Sequence, residues 1–125
     1  MDPAIIVRGL AGGRVGFGVV LTAAPLRLTR TWLGDDAERT GAQILARSLG
    51  ARDLALGLGA LASDRDHVER WVLAGMVADA SDLVATLATP SLPPRGRTLG
   101  ALAAGAGVAL GVAALGALRR SQATA

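Results

Sequence analysis

The chain has 125 residues, of which 51% are hydrophobic and 18% are charged, with 17 glycines, 13 arginines and no lysine or cysteine. Soluble domains usually carry about a quarter charged residues, so this composition favours an all-α membrane protein with one domain, residues 1–125. The net charge of +3 does not indicate nucleic-acid binding, because the arginines are scattered among apolar segments and stacking aromatic residues are nearly absent.

The first helix is predicted from about residue 4 to residue 24, and Pro25 ends it, because the residue before a proline disfavours helix. Residues 1–3 lack the basic segment of a secretory signal, so we expect the mature chain to begin here. About 20 residues suffice to cross the hydrocarbon core of a bilayer. Two overlapping GxxxG pairs predict the close approach of a neighbouring helix. They are Gly9 with Gly13, and Gly12 with Gly16.

The second helix is predicted from about residue 41 to residue 62, after a polar connector over residues 26–40 that we place outside the membrane. Three charged residues, Arg47, Arg52 and Asp53, interrupt its apolar sequence. Ionisable residues at membrane depth are costly and persist when they are paired or used. This helix therefore needs partner helices to insert.

The third helix is predicted from residue 68 to about residue 89, after a polar turn in which His67 is expected to be solvated. Its polar and small residues recur at spacings of four, three and four, which places them on one helical face. They are Gly75, Asp79, Asp82 and Thr86.

The fourth helix is predicted from residue 99 to residue 118, after a basic, proline-rich loop over residues 89–98. It carries no charge before Arg119 and is the clearest transmembrane signal in the chain. A small residue at every fourth position suits packing against another helix, either in a second copy or in a larger membrane complex. These residues are Ala101, Gly105, Ala109, Ala113 and Ala117.

Centring the four predicted helices on the bilayer places six charged residues at similar depths. They are Arg14, Arg47, Arg52, Asp53, Asp79 and Asp82. Arg47 and Asp82 are both displaced toward the side of the first connector, so we expect them to pair. Three arginines against three aspartates would balance formally, which matters because an unpaired buried charge costs far more than a paired one.

This cluster has a structural and a functional interpretation. As ion pairs that fix helix register, the six residues indicate an accessory or scaffold subunit. As a polar pocket, they indicate a ligand or proton site, as in a minimal transporter or a lipid-headgroup binder, in which Arg52 contacts an anion and Asp79 titrates. A membrane-embedded isomerase or cyclase with Asp53 or Asp79 as the acid is a third alternative, and a soluble helical bundle is a fourth. No motif identifies catalytic residues.

Two stretches in the first half of the chain carry a recognisable pattern. They are Trp32-Leu-Gly-Asp-Asp-Ala-Glu-Arg39 and Leu45-Ala-Arg-Ser-Leu-Gly-Ala-Arg-Asp-Leu-Ala-Leu-Gly57, the second with an RxxGxRDxxxG-like core. This pattern resembles that of small four-helix integral membrane proteins of actinobacteria that form a domain family of unknown function. The resemblance implies an integral membrane protein and no particular activity.

The expected partners are the lipid bilayer and a copy or complex bound through the fourth helix, with no nucleic acid. No metal site or cofactor is predicted, because cysteine is absent and His67 is the one histidine. The predicted location is the cell membrane, as a multi-pass protein. An even number of spans places both termini on one side, which we expect to be cytoplasmic, although the arginines are almost equally divided between the two sides.

Overall fold

The computed structural model describes residues 2–123, and all regular structure in that range is helical, which confirms the predicted all-α class. The helices are α1 (Pro3–Ala23), α2 (Pro25–Leu33), a 3-10 segment (Gly34–Glu38), α3 (Thr40–Ala62), α4 (Val68–Leu87) and α5 (Pro94–Ala123). The expectations for residues 1, 124 and 125 lie outside the described range.

Prolines begin three of these helices, because a proline at the first helical position has a suitable φ and lacks an N–H that would go unbonded there. At the start of α1, Asp2 caps the helix by accepting a hydrogen bond from the Ala4 N–H at 2.9 Å. Pro25 begins α2 inside the stretch predicted as a connector, and Pro94 begins α5 five residues before the predicted start. Both loop predictions were therefore too long.

The long helices form two close pairs, α1 with α3 and α4 with α5, and α3 joins the pairs through α4. The backbones of α1 and α3 lie very close together, because a Cβ added at Gly18 would lie 2.6 Å from the Gly50 carbonyl oxygen. The glycines of the predicted GxxxG pairs do not make this contact, because an added Cβ at any of them would have no neighbour within 4 Å. Gly18 and Gly50 bring the two helices together instead.

Many large apolar side chains lie on the outside of the bundle, whereas the buried residues are mainly small or aliphatic. On α3, Ile44 is 62% exposed, and on α4, Val77 is 70% exposed. A small conventional core is present at one end, formed by Val7, Val68, Val72, Ala114, Leu115 and Leu118. The buried polar residues are Thr29, Asp53, Asp79 and Thr86, so a mainly apolar interior contains two carboxylates. Extensive exposed apolar surface is typical of a face that contacts lipid or another protein.

Two of the described helices, α1 and α5, are long and apolar enough to cross a membrane. The sequence predicted four membrane-spanning helices. Helices α3 and α4 fall short of the same test, because charged residues interrupt both, among them Arg52 in α3 and Asp79 in α4. The orientation of the termini stays a prediction.

The turn between α3 and α4 is held by Asp64, whose Oδ1 accepts the His67 N–H at 3.0 Å and lies 2.6 Å from His67 Nδ1. The side-chain hydrogen bond with His67 lowers the pKa of Asp64 below its ordinary value. A carboxyl group with a lowered folded-state pKa stabilises the fold above its unfolded-state value, and this contribution disappears as the pH falls through the lowered folded-state value.

We therefore expect the unfolding temperatures of the wild type and Asp64→Asn to converge on acidification below about pH 4. The Asp64→Asn variant should be the less stable of the two at neutral pH. Thermal unfolding followed by circular dichroism across this pH range measures both. Asp66→Asn is the matched control, because the Asp66 side chain makes no hydrogen bond to the described residues. A constant difference between wild type and Asp64→Asn at every pH would contradict the assignment.

Candidate functional site

Arg14 joins three helices at the centre of the bundle. Its Nη1 donates to Asp53 Oδ1 on α3 at 3.0 Å, and its Nη2 donates to the Asp79 carboxylate on α4. The same Nη2 donates to the Gly75 carbonyl oxygen at 2.9 Å. A Cβ at Gly75 would lie 2.9 Å from that nitrogen, so the glycine leaves room for the guanidinium. With 11% of its side chain exposed, Arg14 is nearly enclosed by its acceptors.

Arg52 on α3 forms the second part of the cluster. Its Nη1 and Nη2 donate to the two oxygens of Asp82 at 2.9 and 2.7 Å, a bidentate geometry that fixes both groups. Its Nη2 also donates to Asp53 Oδ1 at 3.3 Å. Asp53 therefore accepts from both arginines and links the two parts into one network.

Five of the six predicted cluster residues meet in this network, and Arg47 does not. Arg47 is exposed and donates to the Thr22 carbonyl oxygen at 3.0 Å. The predicted pair of Arg47 with Asp82 is wrong, since Asp82 binds Arg52. Arg47 does not lie on the buried face of α3, which contains Ala46, Gly50, Asp53 and Gly57.

The loss of Arg47 from the network changes its charge. Two arginines, Arg14 and Arg52, face three aspartates, so the network carries a net charge of −1 when every group is ionised. The sequence predicted formal neutrality. The excess charge is negative, because the network contains one more carboxylate than guanidinium groups.

The network forms one wall of a cavity of about 670 Å³. Side chains of all five α-helices line it, and most of them are apolar. The lining comprises Ile6, Gly9, Leu10, Gly13, Arg14, Phe17, Leu21, Leu28, Thr29, Thr31, Trp32, Leu49, Arg52, Asp53, Asp79, Asp82, Thr86, Leu99, Gly100, Ala103, Ala104, Ala106, Gly107 and Leu110. The arrangement is a mainly apolar chamber with charged groups on one wall.

The exposed residues of the cavity lining lie mainly on α1 and α5, so we place its open side between these two helices. Phe17 on α1 and Leu110 on α5 both line the cavity and are exposed on the outside of the bundle. Gly9 and Gly13 also line it, and their lack of side chains leaves the α1 edge open. An apolar molecule beside the bundle therefore has access to the charged wall.

The short helix α2 closes one end of the cavity and was missed in the sequence. Its Trp32 lies against α5, where a Cβ at Gly100 would be 2.9 Å from the indole Nε1. Leu28 and Trp32 lie one turn apart and both line the cavity. This spacing, together with Pro25 before it, was the available signal for a helix.

Three buried polar side-chain atoms have no hydrogen-bond partner within the described part of the chain. They are Thr22 Oγ1, Trp32 Nε1 and Arg52 Nε. Trp32 and Arg52 both line the cavity. Buried polar groups are nearly always hydrogen-bonded, so these three atoms are exceptions among the described residues.

Among residues 2–123, no group of histidine, cysteine, aspartate or glutamate side chains is arranged to hold a metal ion. We found no family model that matches the chain, and neither curated proteins nor solved structures gave a match. The resemblance to the actinobacterial four-helix proteins therefore stays a prediction.

Proposed function

We propose that this chain is an integral membrane protein in which all four long helices cross the bilayer, and that its cavity binds an amphiphilic molecule such as a lipid. Helices α3 and α4, with 23 and 20 residues, extend about 34 and 30 Å, which matches a hydrocarbon core of about 30 Å. Their charged residues at mid-depth form the network, and most of their large apolar residues face outward, except Val68 and Val72 in the core. The cost of inserting those charges is thereby reduced.

The sideways opening of the cavity is the observation that carries the proposed binding function. At about 670 Å³, the volume lies within the range of about 300–1,000 Å³ that is usual for ligand sites. An apolar chamber with one charged wall matches a molecule with a hydrocarbon chain and a polar head. The opening between α1 and α5 would admit such a molecule from the bilayer.

The open cavity is filled by whatever surrounds the bundle, and its lining favours one kind of occupant. Water suits the charged wall but not the apolar walls. A hydrocarbon chain fills the apolar part and leaves its head at the network.

A scaffold or accessory role is the second candidate, and the outer face of α5 supports it. Ala109 and Ala113 of the predicted small-residue face are exposed, while Ala117 is buried. These exposed alanines could pack against a helix of another copy or of a partner. In that case the ion pairs would serve only to hold the bundle.

Quenching of Trp32 fluorescence tests the binding function directly. In a Trp71→Phe variant in detergent micelles, a phosphatidylcholine brominated on one acyl chain should quench Trp32 saturably, because Trp32 lines the cavity. A Trp32→Phe variant, which retains Trp71 on the outside of the bundle, should show only gradual quenching that does not saturate.

Two further variants of the Trp71→Phe protein provide a matched pair. Gly13→Leu adds a side chain on the lining and should remove saturable quenching, whereas Gly12→Leu adds one in open space away from the lining and should not. Equal, unsaturable quenching in all four proteins would overturn the binding function and favour the scaffold role.

A further inference from the structure

We infer that the molecule bound in the cavity has a cationic head group, an alkylammonium, rather than an anionic one. This inference rests on the proposed binding function and concerns which chemistry the charged wall accepts. The wall carries one more carboxylate than guanidinium groups. A positive head group neutralises that surplus, whereas an anion doubles it.

The terminal nitrogens of both arginines in the wall are already engaged, and Arg52 Nε, which has no partner among the described residues, is buried out of reach of the cavity. Both terminal nitrogens of Arg14 donate to Asp53, Asp79 or the Gly75 carbonyl, and both terminal nitrogens of Arg52 donate to aspartate oxygens. An anionic head would have to displace a carboxylate from its arginine. The displaced carboxylate would then be a buried charge without a partner, which is strongly unfavourable.

The carboxylates, by contrast, retain free acceptor positions. Asp53 is 3% exposed and Asp79 is 9% exposed, and both line the cavity. The hydrogen bonds from described side chains reach Oδ1 of Asp53 and Oδ2 of Asp79, and none reaches the other oxygen of either group. A carboxylate has about four acceptor positions, so an ammonium group can bind these two residues without breaking an existing bond.

Aromatic side chains in the lining also favour a positive charge. Phe17 on α1 and Trp32 on α2 are its aromatic members. The face of an aromatic ring attracts cations, indole most strongly, and the attraction increases when water is excluded. The charge surplus, the engaged arginines and the aromatic lining all point to the same head group.

Two brominated probes of opposite charge test this inference. In the Trp71→Phe protein in neutral maltoside micelles, 11-bromoundecylammonium, whose primary ammonium group can donate hydrogen bonds, should quench Trp32 saturably at a concentration at least about tenfold lower than 11-bromoundecanoate. The Trp32→Phe protein reports non-specific quenching in the same micelles. Equal affinities, or tighter binding of the carboxylate, would overturn the inference.

The failure of the binding function gives a different result. If neither charged probe nor the brominated phosphatidylcholine quenches Trp32 saturably, the cavity binds no amphiphile and both proposals fall. If the phospholipid quenches saturably and the cation has no advantage over the carboxylate, only the cationic head group is wrong.

An isosteric variant locates the charge that is responsible. Asp79→Asn in the Trp71→Phe background should weaken binding of the cationic probe about tenfold or more and should not weaken binding of the carboxylate. Asp36→Asn is the control, because Asp36 pairs with Arg39 on the exposed connector and lies outside the lining. An unchanged cation affinity in folded Asp79→Asn would overturn the inference. If that variant does not fold, the comparison of the two probes on the intact network still decides it.

Discussion

Replacing Arg14 by methionine should reduce the free energy of unfolding by about 3–5 kcal/mol, the cost expected when one partner of a buried ion pair is removed. Methionine retains the unbranched apolar stem of arginine but is shorter and cannot donate to Asp53 or Asp79. Both carboxylates are almost fully buried, so water can replace few of the lost hydrogen bonds. Reversible unfolding in maltoside micelles with increasing dodecyl sulfate, followed by circular dichroism, measures the change.

The matched control for this prediction is Arg47→Met. Arg47 is exposed and donates to one carbonyl oxygen, so its loss should cost less than about 1 kcal/mol. Adding Asp79→Asn to Arg14→Met should restore much of the stability, because it removes the carboxylate that Arg14 had paired. An equal effect of Arg14→Met and Arg47→Met would show that Arg14 does not hold the network together.

Gly50→Val should be the second strongly destabilising change, at about 3 kcal/mol or more, because it adds volume where two helix backbones touch. A Cβ at Gly50 would lie 2.5 Å from Thr22 Oγ1 and 2.8 Å from the Gly18 carbonyl oxygen. The backbone oxygen cannot move aside without moving α1. Separation of α1 from α3 would also pull Arg14 away from Asp53.

Gly16→Val is the control for helix propensity, because it introduces the same residue into α1 at a site with no neighbour within 4 Å. We expect it to change the stability by less than about 0.5 kcal/mol. The same unfolding titration compares the two variants. If Gly16→Val were as harmful as Gly50→Val, the loss would reflect the intrinsic preference of valine and not the contact between α1 and α3.

The ends of three long helices could be predicted from local sequence, whereas α5 extends five residues beyond its predicted limits at each end and the short helix was missed. Pro25 and the polar turn before Val68 mark boundaries by themselves, so the predicted limits of α1, α3 and α4 lie within two residues of those observed. The nine residues of α2 lie in a polar stretch, and such a short helix owes its stability to packing rather than to its own sequence. Contacts with α1, α3 and α5 supply that packing.

For the candidate site, the sequence predicts how deep each charged residue lies but not which way its side chain points. The rise of about 1.5 Å per residue fixes how deep a side chain lies, and this brought Arg14, Asp53 and Asp79 to one level. The direction in which a side chain points depends on the rotation of about 100° per residue and on which face the neighbouring helix covers. Arg47 is about 240° around α3 from Asp53, so it cannot share the inner face. The cavity likewise depends on how α1 and α5 are spaced, which no single helix encodes.

If the protein spans the bilayer and binds an amphiphile, as we propose, the sideways opening between α1 and α5 determines which concentration controls occupancy. For a molecule that arrives from within the bilayer, the relevant concentration is its mole fraction in the lipid. The volume of water matters only because it changes how much of the molecule partitions into the membrane. Occupancy should therefore fall when plain lipid is added at constant total ligand, and should hardly change when buffer is added to the same vesicles if the ligand stays in the membrane. A dissociation constant for this cavity is therefore best expressed as a mole fraction of ligand in the membrane.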